Sequence, residues 1–209
     1  SRAGELSLAL TIPAAVALVV IPLPVVTVLF ERGATGADDS AAIAAAVAIY
    51  GLGLPAFVLQ KVLQPLFFAR EDTKSPFRYA VCAMIVNAAV AVGLAPVLGW
   101  IAPAIATTLA GWIMVGMLAR GGRKLGDVAR FDAQFQRRIW RICVASAVMG
   151  AVLWATTIAL GPFFAMAGIR FIALAVLVCV GMVSYGFAGQ VMGAFSLRDF
   201  RNAFRRRKA

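Results

Sequence analysis

Long stretches of this sequence carry almost no charge, and its charged residues gather in the short segments between them. Six apolar segments are evident, at approximately Leu6–Phe30, Ala41–Phe68, Tyr79–Trp100, Ala102–Ala119, Ile139–Leu160 and Phe171–Phe195. Crossing about 30 Å of hydrocarbon takes roughly 20 mostly apolar residues in a helix, and each segment is near or above that length once tilt is allowed. Lipid also forbids unpaired backbone groups, so spanning segments must be helices or a closed barrel. The composition agrees: 62% of the 209 residues are hydrophobic and 14% charged, against about half and about 25% in soluble domains. The expected fold is all-α, a polytopic membrane bundle of six transmembrane helices.

Six crossings place both ends of the chain on one side, and the basic residues sort accordingly. One side receives Arg2, the group Arg70, Lys74 and Arg78, the run from Arg120 to Arg141, and the tail from Arg198 to Lys208, which is 17 of the 20 lysines and arginines. Arg32 and Arg170 fall on the other side, and Lys61 lies within a helix. The positive-inside rule makes the first side the cytoplasm. Both ends are thus expected to be cytoplasmic. The chain opens on Ser1 with no cleavable leader pattern ahead of the first apolar run, and is expected to be part of a longer protein.

Many kinds of chemistry are excluded. The sequence has no histidine, which removes Ser-His-Asp and Cys-His constellations and most zinc sites. Cys82, Cys143 and Cys179 are isolated within apolar runs and read as small apolar filler. Gly116 and Gly121 have the spacing that opens a phosphate-binding loop, but Gly122 and Arg123 stand where Lys and Ser or Thr are required. The spans contain no paired carboxylates or nucleophile–base sets, so no enzyme is expected. The net charge of +11 comes from segments next to spanning helices, where anionic lipid head groups attract it; nucleic acid is not an expected partner. Two stretches outside the spans look amphipathic, one through Val128, Phe131, Phe135 and Ile139 and one through Leu197, Phe200 and Phe204, and read as interfacial helices. The organisation expected is therefore four helices over 1–120, an interfacial cytoplasmic segment at 121–138, two accessory helices over 139–196, and a basic cytoplasmic tail at 197–209.

Polar groups inside the spans are few. Pro13, Pro22 and Pro24 lie in the first segment, and Gly51, Gly53, Pro55 and Pro65 in the second. A helix-interior proline removes a backbone donor, which lipid tolerates where neighbouring groups satisfy the freed carbonyl. Such interrupted helices are frequent where transporters bind substrate. Gln60, Lys61 and Gln64 form the most informative group, as candidates to line a substrate cavity. A lysine at mid-membrane depth costs about 2.5–3.5 kcal/mol. Lys61 precedes Arg70 by nine residues, roughly 13 Å of helix; it either snorkels to the interface or lines an aqueous cavity and attracts an anion. Asn87, Thr107 and Thr108 read first as interhelical hydrogen-bonding groups. Gly189 and Gly193 have the small-xxx-small spacing that allows close helix packing.

Two blocks resemble the MurJ (MviN) lipid II flippase family of bacterial peptidoglycan synthesis. One is Leu29-Phe30-Glu31-Arg32-Gly33-Ala34, followed by Thr35 where an aromatic is common in the family. The other runs from Gly53-Leu54-Pro55-Ala56-Phe57-Val58 through Lys61-Val62-Leu63 and Pro65 to Phe68-Ala69-Arg70-Glu71-Asp72-Thr73-Lys74-Ser75-Pro76. The resemblance covers essentially the whole chain, as the last six of the family's fourteen helices. It implies part of a two-lobed MOP-type exporter that works by alternating access around a central cationic cavity. The implied cargo is undecaprenyl-pyrophosphate-linked disaccharide-pentapeptide, moved from the inner to the outer leaflet of the bacterial cytoplasmic membrane for cell-wall synthesis. The implied partners are that cargo, membrane lipids and the N-terminal lobe of the same protein. Lys61 matches a basic family position inside the membrane, and the last two helices would correspond to a groove for the lipid tail. Some members bind sodium through a helix equivalent to the third; Asn87 and Thr107 fit such a site, whereas Ala91 stands where an acid is expected, so no cofactor is expected and sodium is doubtful. The rival readings are an exporter of another lipid-linked oligosaccharide or small molecule, and a non-transporting membrane scaffold.

Overall fold

The computed structural model describes residues 2–30, 36–124, 133–164 and 169–193. Every regular element in them is helical: α1 (Arg2–Val20), α2 (Pro22–Phe30), α3 (Ala37–Phe68), α4 (Lys74–Leu98), a short 3-10 turn (Gly99–Ile101), α5 (Ala102–Lys124), α6 (Ala133–Phe164) and α7 (Ile169–Val191). Four continuous stretches, Asp38–Phe68, Lys74–Gly122, Arg137–Phe164 and Ile169–Val191, are long and apolar enough to cross a membrane, and α1 with α2 makes a bent fifth. The 49-residue stretch contains α4 and α5, which turn back on one another at Gly99. There φ is +55°, a conformation that glycine adopts without penalty. Tyr79, near the start of α4, packs against Gly121, near the end of α5, so the two run antiparallel and cross twice. The described residues thus make the six crossings expected of a polytopic bundle.

The helices pack in one row, α4–α5–α3–α1–α6–α7. Each inner helix has two main neighbours in the row, with α2 a further one for α3, and keeps uncovered surface, so large apolar side chains such as Phe77, Val92, Trp154 and Phe187 are exposed. In water such a surface would aggregate; for a membrane bundle it is the solvated surface. The core is correspondingly thin. One cluster, around Ala56, Leu63, Phe67, Ala83, Met114 and Leu118, joins α3, α4 and α5. A second, around Ile21, Met149, Leu153 and Leu177, joins α1 to α6 and α7.

Several elements differ from their sequence expectations. The first apolar segment is not one rod: it bends by 79° between Val20 and Pro22. Pro22 and Pro24 cannot donate to the carbonyls of Leu18 and Val20, so the ladder fails there. The α2 arm then packs on α3 and reaches α7, burying Val26 and Val28. At the far end, Gly193 is not part of a helical packing face. It leaves α7 with φ +62°, and its carbonyl accepts a hydrogen bond from Arg141 Nη1 at 3.4 Å, so Gly193 closes the helix while Gly189 is buried within it. The expected interfacial segment is flanked by extended spans, since α5 runs on to Lys124 and α6 begins at Ala133. Val128 and Phe131, with the tail from Leu197 to Lys208, lie outside the described residues.

Polar and steric contacts dock the α6–α7 hairpin onto α1. Glu5 pairs with Arg138, and the Tyr185 hydroxyl donates to the Ala9 carbonyl. Gly150 lies against α1 so closely that an added Cβ would sit 2.8 Å from Val16 Cγ1, whereas one at Gly161 would meet nothing within 4 Å. Overpacking of this kind costs about 1–3 kcal/mol. Gly150→Val should therefore lower the thermal unfolding midpoint in detergent by several degrees, while Gly161→Ala should leave it unchanged or raise it.

Candidate functional site

The second sequence block folds as the C-terminal half of α3 and the turn into α4. Pro55 and Pro65 lie inside α3 and leave the carbonyls of Gly51 and Lys61 without their usual intrahelical donors. Near the first gap α5 supplies side-chain donors. Thr108 Oγ1 bonds the Ile49 carbonyl at 3.0 Å, and Trp112 Nε1 bonds the Leu52 carbonyl at 3.0 Å. From α3, Gln60 Nε2 donates to the Gly111 carbonyl, also at 3.0 Å. Gly53 and Gly111 allow this approach, because an added Cβ at either would lie within about 3.1 Å of the Phe57 ring. Intramembrane hydrogen bonds average about 0.6 kcal/mol, so the three together contribute about 2 kcal/mol to one seam.

Consecutive residues of α3 therefore point in different directions. Gln60 bonds α5, Val62 approaches Gly4 of α1, and Leu63 is buried in the α3–α4–α5 core. With 100° between successive residues, Lys61 is left on a side that neither α1 nor α5 covers, and it is exposed. No carboxylate pairs with it among the described residues. Gln64 is half-buried between the Gln60 and Lys61 directions and makes no side-chain hydrogen bond among the described residues. The trio expected to act as one group is thus divided: Lys61 and Gln64 border the open side, while Gln60 lies in the α3–α5 seam. No local sequence signal separates them, because the Gly111 carbonyl that Gln60 meets lies 51 residues away.

Asn87 on α4 and Thr107 on α5 are half-buried, and neither side chain makes a hydrogen bond among the described residues. Ala91 supplies no carboxylate, and the described residues hold no group of three or more metal-ligating acids or cysteines. Two neutral oxygens are a poor set for a hard cation, which prefers several carboxylate or carbonyl ligands. Glu31, Arg32 and Gly33 lie outside the described residues.

Arg70, Glu71 and Asp72 close α3 and open α4. The Asp72 amide bonds the Phe67 carbonyl at 3.1 Å and the Glu71 amide bonds the Phe68 carbonyl at 3.0 Å. This is the Schellman pattern, with Glu71 at φ +60° in the position usually held by glycine. Asp72 Oδ1 then accepts from the Ser75 amide at 3.0 Å, satisfying a free donor at the start of α4. Hydrogen bonds from the Ser75 hydroxyl, then its amide, hold the Asp72 carboxyl below its ordinary range.

Set beside known proteins, residues 1–179 match the family model for lipid II flippase MurJ. The chain belongs to the MurJ family. It is 44% identical over 153 residues to a MurJ of Rhizobium tropici, covering 73% of this chain and 28% of that protein. It is 37% identical over 209 residues to a MurJ of Rhizobium meliloti strain 1021, covering 99% of this chain and 39% of that one. It therefore spans about a third of the length of these MurJ relatives. Among solved structures, a lipid II flippase MurJ in an inward closed conformation has a similar fold, with TM-score 0.75 and 24% identity over 91% of this chain and 37% of that one.

The turn provides a direct test. A non-glycine residue in the left-handed region costs about 1–2 kcal/mol, so Glu71→Gly should raise the thermal midpoint and Glu71→Val should lower it. The lowered Asp72 pKa adds stability that is fully present above the unfolded carboxylate value and is lost as pH falls through the folded one. Midpoints measured across that acidic range should lose this dependence in Asp72→Asn, whose amide oxygen can still cap Ser75.

Proposed function

We propose that this chain is the C-terminal portion of a lipid II flippase, carrying an undecaprenyl-pyrophosphate-linked precursor from the inner to the outer leaflet of the bacterial cytoplasmic membrane. The observation that carries this reading, within the family match, is Lys61: a cation with no carboxylate partner among the described residues, on the uncovered side of a helix that contains two prolines. A lysine held in hydrocarbon would cost about 2.5–3.5 kcal/mol. A lysine lining a water-filled path avoids that cost and attracts a pyrophosphate as a point charge. Gln64 beside it offers donors to phosphate or sugar oxygens. The remaining lobe of the same protein would close the open side of α3 and supply further cations.

The physical task is to keep a charged head group out of hydrocarbon while its polyprenyl tail stays in lipid. Lys61 and Gln64 serve the head group as the lobes alternate between inward and outward access. The tail would lie along α6 and α7, whose exposed Trp154, Ile158, Val176, Val183 and Phe187 form an apolar surface. Both ends of the chain are cytoplasmic in this arrangement, which puts the Arg70–Lys74 turn at the inner face. Asn87 and Thr107 offer only neutral oxygens, so no coupled cation is assigned to them in this reading. The family is one of transporters, and no covalent chemistry is assigned to any residue.

The test is complementation in cells depleted of their own lipid II flippase, with the exposure of lipid II at the outer face as the readout. The protein, with whatever flanking residues its gene encodes, should restore exposure. Lys61→Ala should reduce the rate by about tenfold or more at normal membrane levels, the scale of one lost charged contact. Correct insertion without restored exposure would overturn the assignment. An unimpaired Lys61→Ala would favour a scaffold role.

A further inference from the structure

Lys61 faces the open side of α3 only while α3 keeps one rotational setting about its axis, and its own backbone does not fully enforce that setting. Pro55 and Pro65 bracket the stretch that carries Lys61, and Pro65 removes the donor that would have bonded the Lys61 carbonyl itself. The bonds from Thr108 and Trp112 reach Ile49 and Leu52, ahead of the first proline. Between the two prolines, Gln60 is the one side chain among the described residues that hydrogen-bonds another helix, through Nε2 to the Gly111 carbonyl. It immediately precedes Lys61, so whatever azimuth Gln60 adopts, Lys61 follows at 100°.

We propose that Gln60 is a positioning residue: its bond to the Gly111 carbonyl sets the azimuth of the α3 segment between its two prolines and so aims Lys61 at the substrate path. This rests on the role of Lys61 given above and assigns Gln60 no contact with substrate. Phe57, wedged between Gly53 and Gly111, supports the same setting by packing. The hydrogen bond adds the directional restraint that an apolar wedge lacks.

The test uses the complete protein in native membranes, with its cysteines, including Cys82, Cys143 and Cys179, replaced by alanine. Lys61→Cys then serves as the reporter, and the probe is 2-aminoethyl methanethiosulfonate. Gln60→Met keeps the side-chain length and removes the donor. It should change the modification rate at the reporter by about threefold or more, the population shift that follows loss of one intramembrane hydrogen bond of ordinary strength. With Lys61 intact, Gln60→Met should lower lipid II flipping by a similar or larger factor. Thr108→Val removes a bond of the same kind ahead of Pro55. It should lower the thermal midpoint comparably yet leave the reporter rate within about twofold, since distant sites act nearly independently. An unchanged reporter rate in Gln60→Met overturns the proposal, whether or not flipping falls. So does a changed reporter rate with normal flipping. If Lys61→Ala leaves flipping intact, the functional reading of Lys61 fails instead, while the reporter arm still decides whether Gln60 sets the azimuth.

Discussion

Side-chain hydrogen bonds to backbone carbonyls tie together the centre of this bundle, beside a helix whose own ladder lacks donors at two prolines. Proline removes donors at Pro55 and Pro65 of α3, leaving the Gly51 and Lys61 carbonyls without their intrahelical partners. Alongside lies the α3–α5 seam, where Thr108 and Trp112 bond the Ile49 and Leu52 carbonyls, Gln60 bonds that of Gly111, and glycines at 53 and 111 bring the helices close enough to do so. A weakened helix is thereby held by its neighbour. It stays continuous from Ala37 to Phe68 despite both prolines, and Lys61 sits within the weakened stretch.

The row arrangement has a consequence of its own. A helix flanked on two sides retains two free sides, and in lipid these need only be apolar. Helix association in membranes draws on packing, hydrogen bonds and small residues rather than on release of water, and the contacts seen are of those kinds. Gly150 meets Val16, Tyr185 meets the Ala9 carbonyl and Glu5 meets Arg138. The α6–α7 hairpin is thus attached through α1, with the bent arm of α2 touching it from the other end. A departure in the open side's chemistry is easy to notice against this background, and Lys61 is that departure.

The spans were legible in the sequence because the bilayer demands long apolar runs, and five of the six were recovered as single rods. The first was not. Hydropathy continues unbroken through Ile21, and only the pair Pro22 and Pro24 signalled the 79° elbow. Turn chemistry at Arg70–Asp72 was visible as a motif, but its Schellman closure with a non-glycine residue in the left-handed position was not, since residue type argued against it. Gly189 and Gly193 had the spacing of a packing face, yet the second glycine ends α7, because a local conformational preference overrode the pattern.

Sequence alone determined that this chain lives in a bilayer, how often it crosses, and which family it resembles. Those properties follow from solvent-imposed length and charge patterning and from contiguous motifs, both of which are one-dimensional. Only the tertiary structure decided which of three adjacent polar residues faces a partner helix and which faces open space. Gln60, Lys61 and Gln64 have nearly equal claims as a string of letters. Their roles separate once Gly111 and Gly4 come to lie beside α3, because a side chain's environment depends on neighbours that are distant in sequence.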